Sequence, residues 1–245
     1  MEDKALLSTE EASGAEKAEL LIVIPAYNEA ENIERVVNHL TANFPQYDYV
    51  VVNDGSRDET AAICQRNGYN LLNLPVNLGL AGAFQAGLKY ADKYGYQYAV
   101  QLDGDGQHRP EYLESMIKKM EEGYDIVIGS RFVGEKKPFT MRMLGSNLIE
   151  MSIRFTTGVN IKDPTSGMRM FSKRMIREFS SGLNYCPDLD TVSYLIRQGA
   201  RVAEVPVIMD ERILGVSYLT PVNAMRYMLK MLISILLIQN FRKTR

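Results

Sequence analysis

Two aspartates, Asp103 and Asp105, flank a single glycine in the segment Asp-Gly-Asp-Gly-Gln-His at residues 103–108. Because glycine relaxes the backbone of the turn, both carboxylates can reach one divalent cation. Carboxylate oxygens are hard ligands that suit Mg²⁺ or Mn²⁺. A cation held here would bind phosphate oxygens of a ligand and compensate their negative charge.

Taken alone, this segment has a simpler interpretation as an ordinary acidic turn. A calcium-binding EF-hand fits poorly, because the acid expected near the end of such a loop is absent. The residues that follow are Gln107, His108, Arg109 and Pro110. We interpret His108 as a polar turn residue rather than as a neighbour of the metal.

The segment follows one of several apolar runs. These runs alternate with stretches in which apolar residues recur at the spacing of a helix. The runs predict buried strands at 20–25, 49–52, 69–74, 97–102 and 125–129. Continuous apolar strands separated by helices are typical of a parallel sheet that is covered on both faces. The pattern therefore predicts an α/β fold with a mostly parallel central sheet flanked by helices.

Polar residues follow each of these five predicted strands. They are Tyr27-Asn28-Glu29, Asp54-Gly55-Ser56, Asn77, Asp103-Gly104-Asp105 and Ser130-Arg131. Ligand sites of such sheets lie at the carboxyl ends of the strands, so these residues predict one site at that edge. Ser56 and Glu59 have the spacing of a capping box, which predicts that they begin the second helix.

After Arg131 the pattern changes to longer helices and short strands. Helices are predicted at 139–158, 189–198 and 221–240, a turn at 163–167 and a short strand at 168–171. Pro206 interrupts a further strand segment at 201–209, which predicts an edge or a bend there. The expected organisation is a solvated tail at 1–18, one domain at 19–220 and a helical extension at 221–245.

The bulk composition excludes several classes of protein. The 245 residues are 46% hydrophobic and 24% charged, as in an ordinary globular domain. The formal net charge of −2 argues against nucleic acid as a partner. Cys64 and Cys186 lie far apart without CxxC spacing, which fits a reducing compartment. The N-terminus lacks the residue progression of a signal peptide.

Six short segments occur in an order that is typical of one enzyme family. They are Pro-Ala-Tyr-Asn-Glu at 25–29, Asn-Asp-Gly-Ser at 53–56, Asn-Leu-Gly at 77–79, Asp-Gly-Asp-Gly-Gln-His at 103–108, Gly-Ser-Arg-Phe at 129–132 and Asp-Pro-Thr-Ser-Gly-Met-Arg at 163–169. With them the chain resembles the family 2 glycosyltransferases, which have the GT-A fold. Within that family it is most similar to dolichyl-phosphate mannose synthases and to bacterial polyprenyl-phosphate glycosyltransferases.

The resemblance implies a set of residues that hold the donor and its metal ion. The nucleotide pocket would be lined by Pro25, Tyr27 and Glu29. Asp54 would accept a hydrogen bond from the base, and Asp103 would hold the ribose or the sugar. Asp105 with Gln107 would hold Mg²⁺ or Mn²⁺. A UDP-sugar is favoured over a GDP-sugar for family reasons only.

The resemblance also implies the residues of the acceptor side. Arg131 would bind the acceptor phosphate, and an arginine fork does pair well with phosphate oxygens. Asp163, Ser166 and Arg169 would complete the acceptor or reaction pocket. Arg212 resembles a late basic motif that contacts phosphate.

Members of the family invert the anomeric carbon, so the resemblance implies a single displacement with Asp105, Asp163 and Arg131 as catalytic residues. A hydroxyl acceptor needs a general base, whereas a phosphate acceptor is already anionic near neutral pH. Asp188 and Asp190 fall about where many polysaccharide-forming members have an acidic residue, so either could be a general base. We favour the other interpretation, in which one of them caps the helix that follows.

Transfer to a polyprenyl phosphate, such as dolichyl or undecaprenyl phosphate, is the favoured function. Tyr218 stands where the lipid-phosphate branch often has lysine. The alternative within the family is therefore transfer to a sugar hydroxyl in the assembly of a cell-surface polysaccharide.

The segment at 221–245 predicts an amphipathic helix. Apolar residues recur in it at helical spacing, at Met225, Met228, Leu229, Leu232, Ile233, Leu236 and Leu237. One interpretation is an interfacial helix, with the protein peripheral on the cytoplasmic face of the membrane. The other is a helix packed on the domain, on a small membrane partner protein or on a second copy of the chain.

Two competing functions come from other classes. A nucleotidyltransferase would need a glycine-rich, basic phosphate loop near the first strand, where Ala26-Tyr27-Asn28-Glu29 has no basic residue. A non-catalytic interaction protein on the same fold is disfavoured by the aspartate pair together with Arg131 and Asp163.

Overall fold

The computed structural model describes residues 19–135, 137–138, 140–182, 187–210 and 221–238. The predicted tail at 1–18, Cys186 and Arg212 lie outside the described residues. Within the described ranges, helices cover both faces of a central sheet, which confirms the predicted α/β class.

A seven-stranded sheet runs through the described part of the chain in the order β3-β2-β1-β4-β6-β5-β7. Its strands are β1 Leu20–Ala26, β2 Asp48–Asn53, β3 Leu71–Asn73, β4 Tyr98–Gln101, β5 Ile126–Ser130, β6 Arg169–Ser172 and β7 Val202–Pro206. Strand β6 is antiparallel to its neighbours β4 and β5, and the other pairs are parallel. Strands β2 and β3 are added on one side of β1, and β4 is added on its other side. Ligand sites of such sheets lie where the order changes direction, which here is between β1 and β4.

The helices connect these strands in the expected alternation. They are α1 Ile33–Asn43, α2 Thr60–Arg66, α3 Gly79–Tyr94, α4 Leu113–Glu121, α5 Met141–Thr157, α6 Lys173–Ser181, α7 Leu189–Arg197 and α8 Pro221–Leu236, with a 3₁₀ turn at Pro110–Tyr112. Helix α6 was not predicted from the sequence. Strand β7 lies at the edge of the sheet and ends at Pro206, as predicted.

The core is divided by the sheet into two apolar clusters. Leu21 and Val23 of β1 face the cluster that includes residues of α3, α5 and α8. Ile22 and Ile24 face the cluster on the other side, with residues of α1 and α4. Because alternate residues of a strand point to opposite faces, a strand buried on both sides reads as a continuous apolar run.

Helix α8 packs on the domain through one face. Met231 and Ile235 of α8 are buried, and Met228 lies against Gly145 of α5. Of the two interpretations of this segment, packing on the domain is confirmed for one face of the helix. None of the helices in the described ranges has both the length and the apolar composition required to cross a bilayer.

Candidate active site at the carboxyl ends of the strands

The loop after β1 is bonded to the loop after β2. Asn28 has a left-handed backbone, with φ of 56°. Its N–H donates to Ser56 Oγ at 3.0 Å, and its Oδ1 accepts from the N–H of Arg57 at 2.9 Å. Positive φ in a non-glycine residue is uncommon and frequent at functional sites. These bonds hold Tyr27 and Glu29, which are half-buried, at the edge of the sheet.

The predicted capping box of Ser56 and Glu59 is wrong. Helix α2 begins at Thr60, whose N–H donates to Asp58 Oδ1 at 3.0 Å. The Ser56 hydroxyl is used by Asn28 instead. Tertiary pairing of the two loops thus overrides the local capping signal.

Asp54 is buried and joins the end of β2 to the start of α3. Its Oδ1 accepts from the N–H of Leu78 at 2.7 Å. Gly55 next to it has φ of 64°, and a Cβ there would lie 2.8 Å from the Asn77 nitrogen, so only glycine fits. Burial raises the pKa of Asp54, although hydrogen bonds from the α3 end oppose this shift.

The turn at 103–108 is closed by its own side chains. Asp103 Oδ1 accepts from Gln101 Nε2 at 2.8 Å, and Asp105 Oδ1 accepts from the N–H of Gln107 at 3.0 Å. The Asp103 N–H donates to Nδ1 of the buried His108 at 3.0 Å. A neutral His108 therefore carries its proton on Nε2, which lies 3.7 Å from Asp103 Oδ2. His108 serves the turn, as predicted.

The two carboxylates of this turn are a donor set that suits Mg²⁺ or Mn²⁺. The Asp103 side chain is 28% exposed, whereas Asp105 is buried and its carbonyl accepts from Arg35 of α1 at 3.0 Å. Among the described residues, no three His, Cys, Asp or Glu side chains converge on one point. A cation here would thus need further oxygens, from a bound phosphate or from Gln107.

Gln107 and Arg109 connect the turn to the chain beyond β7. Gln107 Nε2 donates a hydrogen bond to the Asp210 carbonyl at 3.1 Å. This bond involves the amide nitrogen of Gln107, whereas a metal would bind its amide oxygen. Arg109 forms an ion pair with the Asp210 carboxylate, and this hydrogen-bonded pairing lowers the pKa of Asp210. The contacts of Asp210 with the turn were not predicted, because no local sequence motif marks this residue.

Arg131 and Asp163 form a bidentate ion pair. Arg131 Nε lies 2.7 Å from Asp163 Oδ2, and Nη2 lies 2.8 Å from Oδ1. The Arg131 side chain is 25% exposed, whereas that of Asp163 is fully buried. Glu204 of β7 accepts from the Asp163 N–H at 2.8 Å. The buried carboxylate thus orients an arginine that reaches solvent.

Ser166 and Arg169 are buried and serve the turn at 163–169. The Ser166 hydroxyl donates to the Gly129 carbonyl at 2.5 Å. Arg169 donates to the carbonyls of Ser166, at 2.8 Å, Pro164, at 3.1 Å, and Pro187, at 3.4 Å. Both side chains therefore hold backbone carbonyls in place.

The turns at 103–108 and 163–169 meet at Gly167. A Cβ at this position would lie 3.0 Å from His108 Cε1 and 3.1 Å from Asp103 Oδ2. Pro25, which was predicted to line the nucleotide pocket, lies beside the first of these turns, because its carbonyl would lie 3.1 Å from a Cβ at Gly104. The structure thus brings the predicted donor and acceptor segments into direct contact.

Asp188 and Asp190 both contact α8. Asp188 caps α7 by accepting from the N–H of Leu189 at 2.9 Å, which confirms the cap interpretation. It also accepts from the Tyr227 hydroxyl at 2.5 Å, and Asp190 accepts from the Ser234 hydroxyl at 2.6 Å.

Sequence comparison relates the chain to a known protein family. The model for glycosyl transferase family 2 matches residues 21–180, which contain both turns. Polyprenol monophosphomannose synthase of Mycolicibacterium smegmatis is 32% identical over 223 residues, covering 86% of this chain and 84% of that protein. Undecaprenyl-phosphate mannosyltransferase of Micrococcus luteus is 31% identical over 210 residues, covering 81% and 86%.

A solved structure shares the fold. Glucosyl-3-phosphoglycerate synthase from Mycobacterium tuberculosis, in complex with Mn²⁺, UDP and glucosyl-3-phosphoglycerate, has a TM-score of 0.63 at 19% identity. The match covers 92% of this chain and 81% of that one. This chain is therefore a glycosyltransferase with the GT-A fold, and it belongs to glycosyl transferase family 2.

Proposed function

We propose that this enzyme transfers a sugar from a nucleotide-sugar to a polyprenyl phosphate, with inversion at the anomeric carbon. The observation that carries the proposal is the junction at Gly167, where the turn of Asp103 and Asp105 meets the turn at 163–169. A donor diphosphate on the first turn and an acceptor phosphate on the second would lie side by side. Such proximity is what a single displacement requires.

On the donor side, the loops after β1 and β2 form the nucleotide pocket. Pro25, Tyr27 and Glu29 line it, and Asp54 accepts a hydrogen bond from the base. Asp103 holds the ribose or the sugar, while Asp105 and Gln107 bind Mg²⁺ or Mn²⁺. When bound, this cation supplies charge compensation for the departing diphosphate.

On the acceptor side, Arg131 binds the phosphate and Asp163 keeps its guanidinium in place. Support comes from the bidentate pair with a fully buried carboxylate, which fixes the orientation of the fork. Ser166 and Arg169 shape the turn rather than bind phosphate themselves, because their polar atoms hold carbonyls. Arg212 is proposed as a further phosphate contact from its sequence motif alone.

A phosphate acceptor is supported by the surroundings of Asp188 and Asp190. A sugar hydroxyl would need a general base to remove its proton, and these two aspartates are the candidates. Each of them accepts a hydrogen bond from a hydroxyl of α8. An acceptor phosphate needs no base, only positioning and charge compensation.

By their names, one of the relatives reported above synthesises polyprenol monophosphomannose and the other is a mannosyltransferase for undecaprenyl phosphate. A polyprenyl phosphate is held in a bilayer by its chain, so an enzyme that uses it works at the membrane surface. We therefore propose a peripheral location on the cytoplasmic face, with α8 as an interfacial helix.

The experiment is to incubate the purified chain with a panel of UDP- and GDP-sugars, Mg²⁺ or Mn²⁺, and polyprenyl phosphate. Release of nucleoside diphosphate is followed, with Asp105→Ala measured in parallel. Release that requires both the lipid phosphate and Asp105 supports the proposal and identifies the donor. Release with a glycan acceptor only would assign the enzyme to polysaccharide assembly.

A further inference from the structure

Asn32 occupies the N-cap position of helix α1 but does not cap it. Asparagine is preferred at this position because its side-chain oxygen can accept from an N–H of the first turn. Here the Asn32 side chain makes no capping hydrogen bond, and the residue is only 1% exposed. Because buried polar atoms need partners, the amide of Asn32 must find them elsewhere.

Both polar atoms of the Asn32 amide contact charged side chains. Its Nδ2 donates to Glu29 Oε2 at 2.8 Å, and its Oδ1 accepts from Arg35 Nη2 at 3.4 Å. The nitrogen of an amide only donates, whereas its oxygen only accepts. The negative partner and the positive partner therefore fix which way the amide points, and Asn32 lies between them.

Glu29 is held through its backbone and through its side chain. Its N–H donates to the Thr60 hydroxyl at 2.9 Å, and its carbonyl accepts from the N–H of Asn32 at 2.9 Å. Its side chain lies against the turn at 103–108, because Cγ would lie 3.5 Å from a Cβ at Gly104. The bond from Asn32 Nδ2 then sets the direction of the carboxylate.

Arg35 extends this contact to the turn at 103–108. The same Nη2 that bonds to Asn32 also donates to the Asp105 carbonyl at 3.0 Å. A Cβ at Gly106, which has φ of 80°, would lie 2.8 Å from Nη2 and 3.0 Å from Nη1. The guanidinium therefore lies directly against the turn, and glycine at this position leaves room for it.

We propose that Asn32 and Arg35 are positioning residues, which join the nucleotide pocket to the turn that binds the cation. Asn32 orients the Glu29 carboxylate toward the nucleotide. Arg35 holds the backbone of Asp105, so that the carboxylate of Asp105 is in place for the cation together with Gln107. This inference rests on the proposed function, which assigns Glu29 to the pocket and Asp105 with Gln107 to Mg²⁺ or Mn²⁺.

Neither residue has to touch a ligand for this role. A side chain that is already held in its binding orientation loses less conformational entropy when the ligand binds. Partners that hold metal ligands in place typically account for about 10–100-fold in metal affinity. Loss of Asn32 should therefore weaken nucleotide binding through Glu29, and loss of Arg35 should weaken metal binding through Asp105.

The first test measures nucleotide binding by calorimetry in EDTA, with UDP and GDP as the probes. Asn32→Leu nearly keeps the side-chain volume and keeps the net charge, but removes both hydrogen bonds. We expect the Kd of the nucleotide that binds to rise about tenfold or more, the lower end of what a hydrogen bond to a charged group contributes. In a Glu29→Ala background, adding Asn32→Leu should change the Kd by less than about twofold, because Asn32 acts through Glu29.

The matched control is Asn38→Leu, further along the same helix. It removes the hydrogen bond that Asn38 accepts from the Tyr69 hydroxyl at 2.7 Å, and it should leave the Kd unchanged. In turnover, Asn32→Leu should raise the KM of the donor and leave kcat within about twofold, since binding that is uniform in ground and transition states affects KM alone. A lower unfolding midpoint with an unchanged Kd would mean that Asn32 is only structural, against the inference.

The second test titrates Mn²⁺ into the chain without nucleotide and measures free Mn²⁺ by electron paramagnetic resonance. Arg35→Gln should weaken Mn²⁺ binding about tenfold, as expected for a residue that holds a metal ligand in place. The effect of charge alone has the opposite sign, because loss of a nearby positive charge strengthens the binding of a cation. Equal or tighter Mn²⁺ binding would therefore overturn the role of Arg35. The control is Arg66→Gln, an exposed charge of α2.

The outcomes separate this inference from the proposed function. Asn32→Leu that weakens nucleotide binding equally with and without Glu29 would overturn the inference, and so would wild-type affinity in Glu29→Ala. Absence of both nucleotide and Mn²⁺ binding in the wild type would overturn it as well. If every variant behaves as expected but no sugar is transferred to polyprenyl phosphate, only the proposed function falls.

Discussion

The hydroxyl of Tyr227 on α8 donates a hydrogen bond to Oδ1 of Asp188, the residue that caps α7, at 2.5 Å. Burial raises the pKa of Tyr227 well above its ordinary value, and the charge of Asp188 raises it further. The phenol therefore remains protonated and keeps donating at alkaline pH. Helix α8 is thus bonded to the domain that carries the candidate active site.

Replacing Tyr227 by phenylalanine removes this hydrogen bond and keeps the ring. A hydrogen bond to a charged group contributes about 1.5–3 kcal/mol, so we expect the free energy of unfolding to fall by that amount in urea titrations. Tyr47→Phe, in the loop between α1 and β2, is the control and should change it by less than about 0.5 kcal/mol. Unchanged stability of Tyr227→Phe would mean that this bond does not fix α8.

Asp188→Asn and Asp190→Asn test whether either carboxylate is a general base. Loss of a base typically costs about 10²–10⁴ in rate, whereas asparagine still caps a helix and still accepts a hydrogen bond. We expect kcat with a phosphate acceptor to fall less than about tenfold in each variant. A drop of 10² or more, together with a changed pH profile, would favour a hydroxyl acceptor.

Arg131→Ala should destabilise the fold as well as abolish acceptor binding. It leaves the fully buried Asp163 carboxylate without its cation, which costs about 3–5 kcal/mol. Arg131→Ala combined with Asp163→Ala should recover part of that loss in urea titrations, because no unpaired charge stays buried. If the double variant is no more stable than the single one, the pair does not act as described.

The raised pKa of Asp54 predicts opposite effects of acid on stability and on donor binding. Burial, the main cause of the shift, favours the protonated acid. The contribution of Asp54 to stability is therefore complete below its unfolded-state pKa and is lost as the pH rises through the folded pKa. Donor binding needs the carboxylate as acceptor, so it weakens as the pH falls through that same raised value.

Calorimetric titration of the nucleoside diphosphate against pH checks this prediction. As the pH is lowered, the Kd for the nucleoside diphosphate should rise. This rise should begin at a higher pH than it would for an aspartate in water, because burial in the folded protein raises the pKa of Asp54. Asp54→Asn should remove that part of the pH dependence. A wild-type Kd that stays constant through the range would show that Asp54 does not recognise the base.

The sheet could be predicted, and so could the meeting of its polar loops at one edge, because both follow from local patterns. A strand buried on both faces, such as β1, is a continuous apolar run, and polar residues such as Asp54 and Asp103 come directly after the strands. Helix α6 was missed because a short, highly charged segment buries only Met175, Ile176 and Phe179.

The remaining features depend on contacts between residues far apart in sequence. Examples are the contact of Gly167 with His108 and the ion pair of Arg109 with Asp210. Neither contact is marked in the sequence by a hydrophobic periodicity or by a local motif. The exposure of some apolar residues of α5, among them Met151 and Phe155, was also not predicted from the sequence. The apolar residues of this helix lie on both of its sides, and only packing decides that Ile153 is buried while Phe155 is not.

Comparing polyprenyl phosphate with the corresponding polyprenol tests whether the acceptor of this enzyme is a phosphate. Both are given to the enzyme with the donor identified from the panel and with Mg²⁺ or Mn²⁺, and the lipid-linked sugar is measured by mass spectrometry. We predict product from polyprenyl phosphate alone, and a loss of roughly 100-fold or more in Asp105→Asn. Sugar attached to polyprenol or to a glycan hydroxyl, with polyprenyl phosphate inert, would show that the acceptor is a hydroxyl.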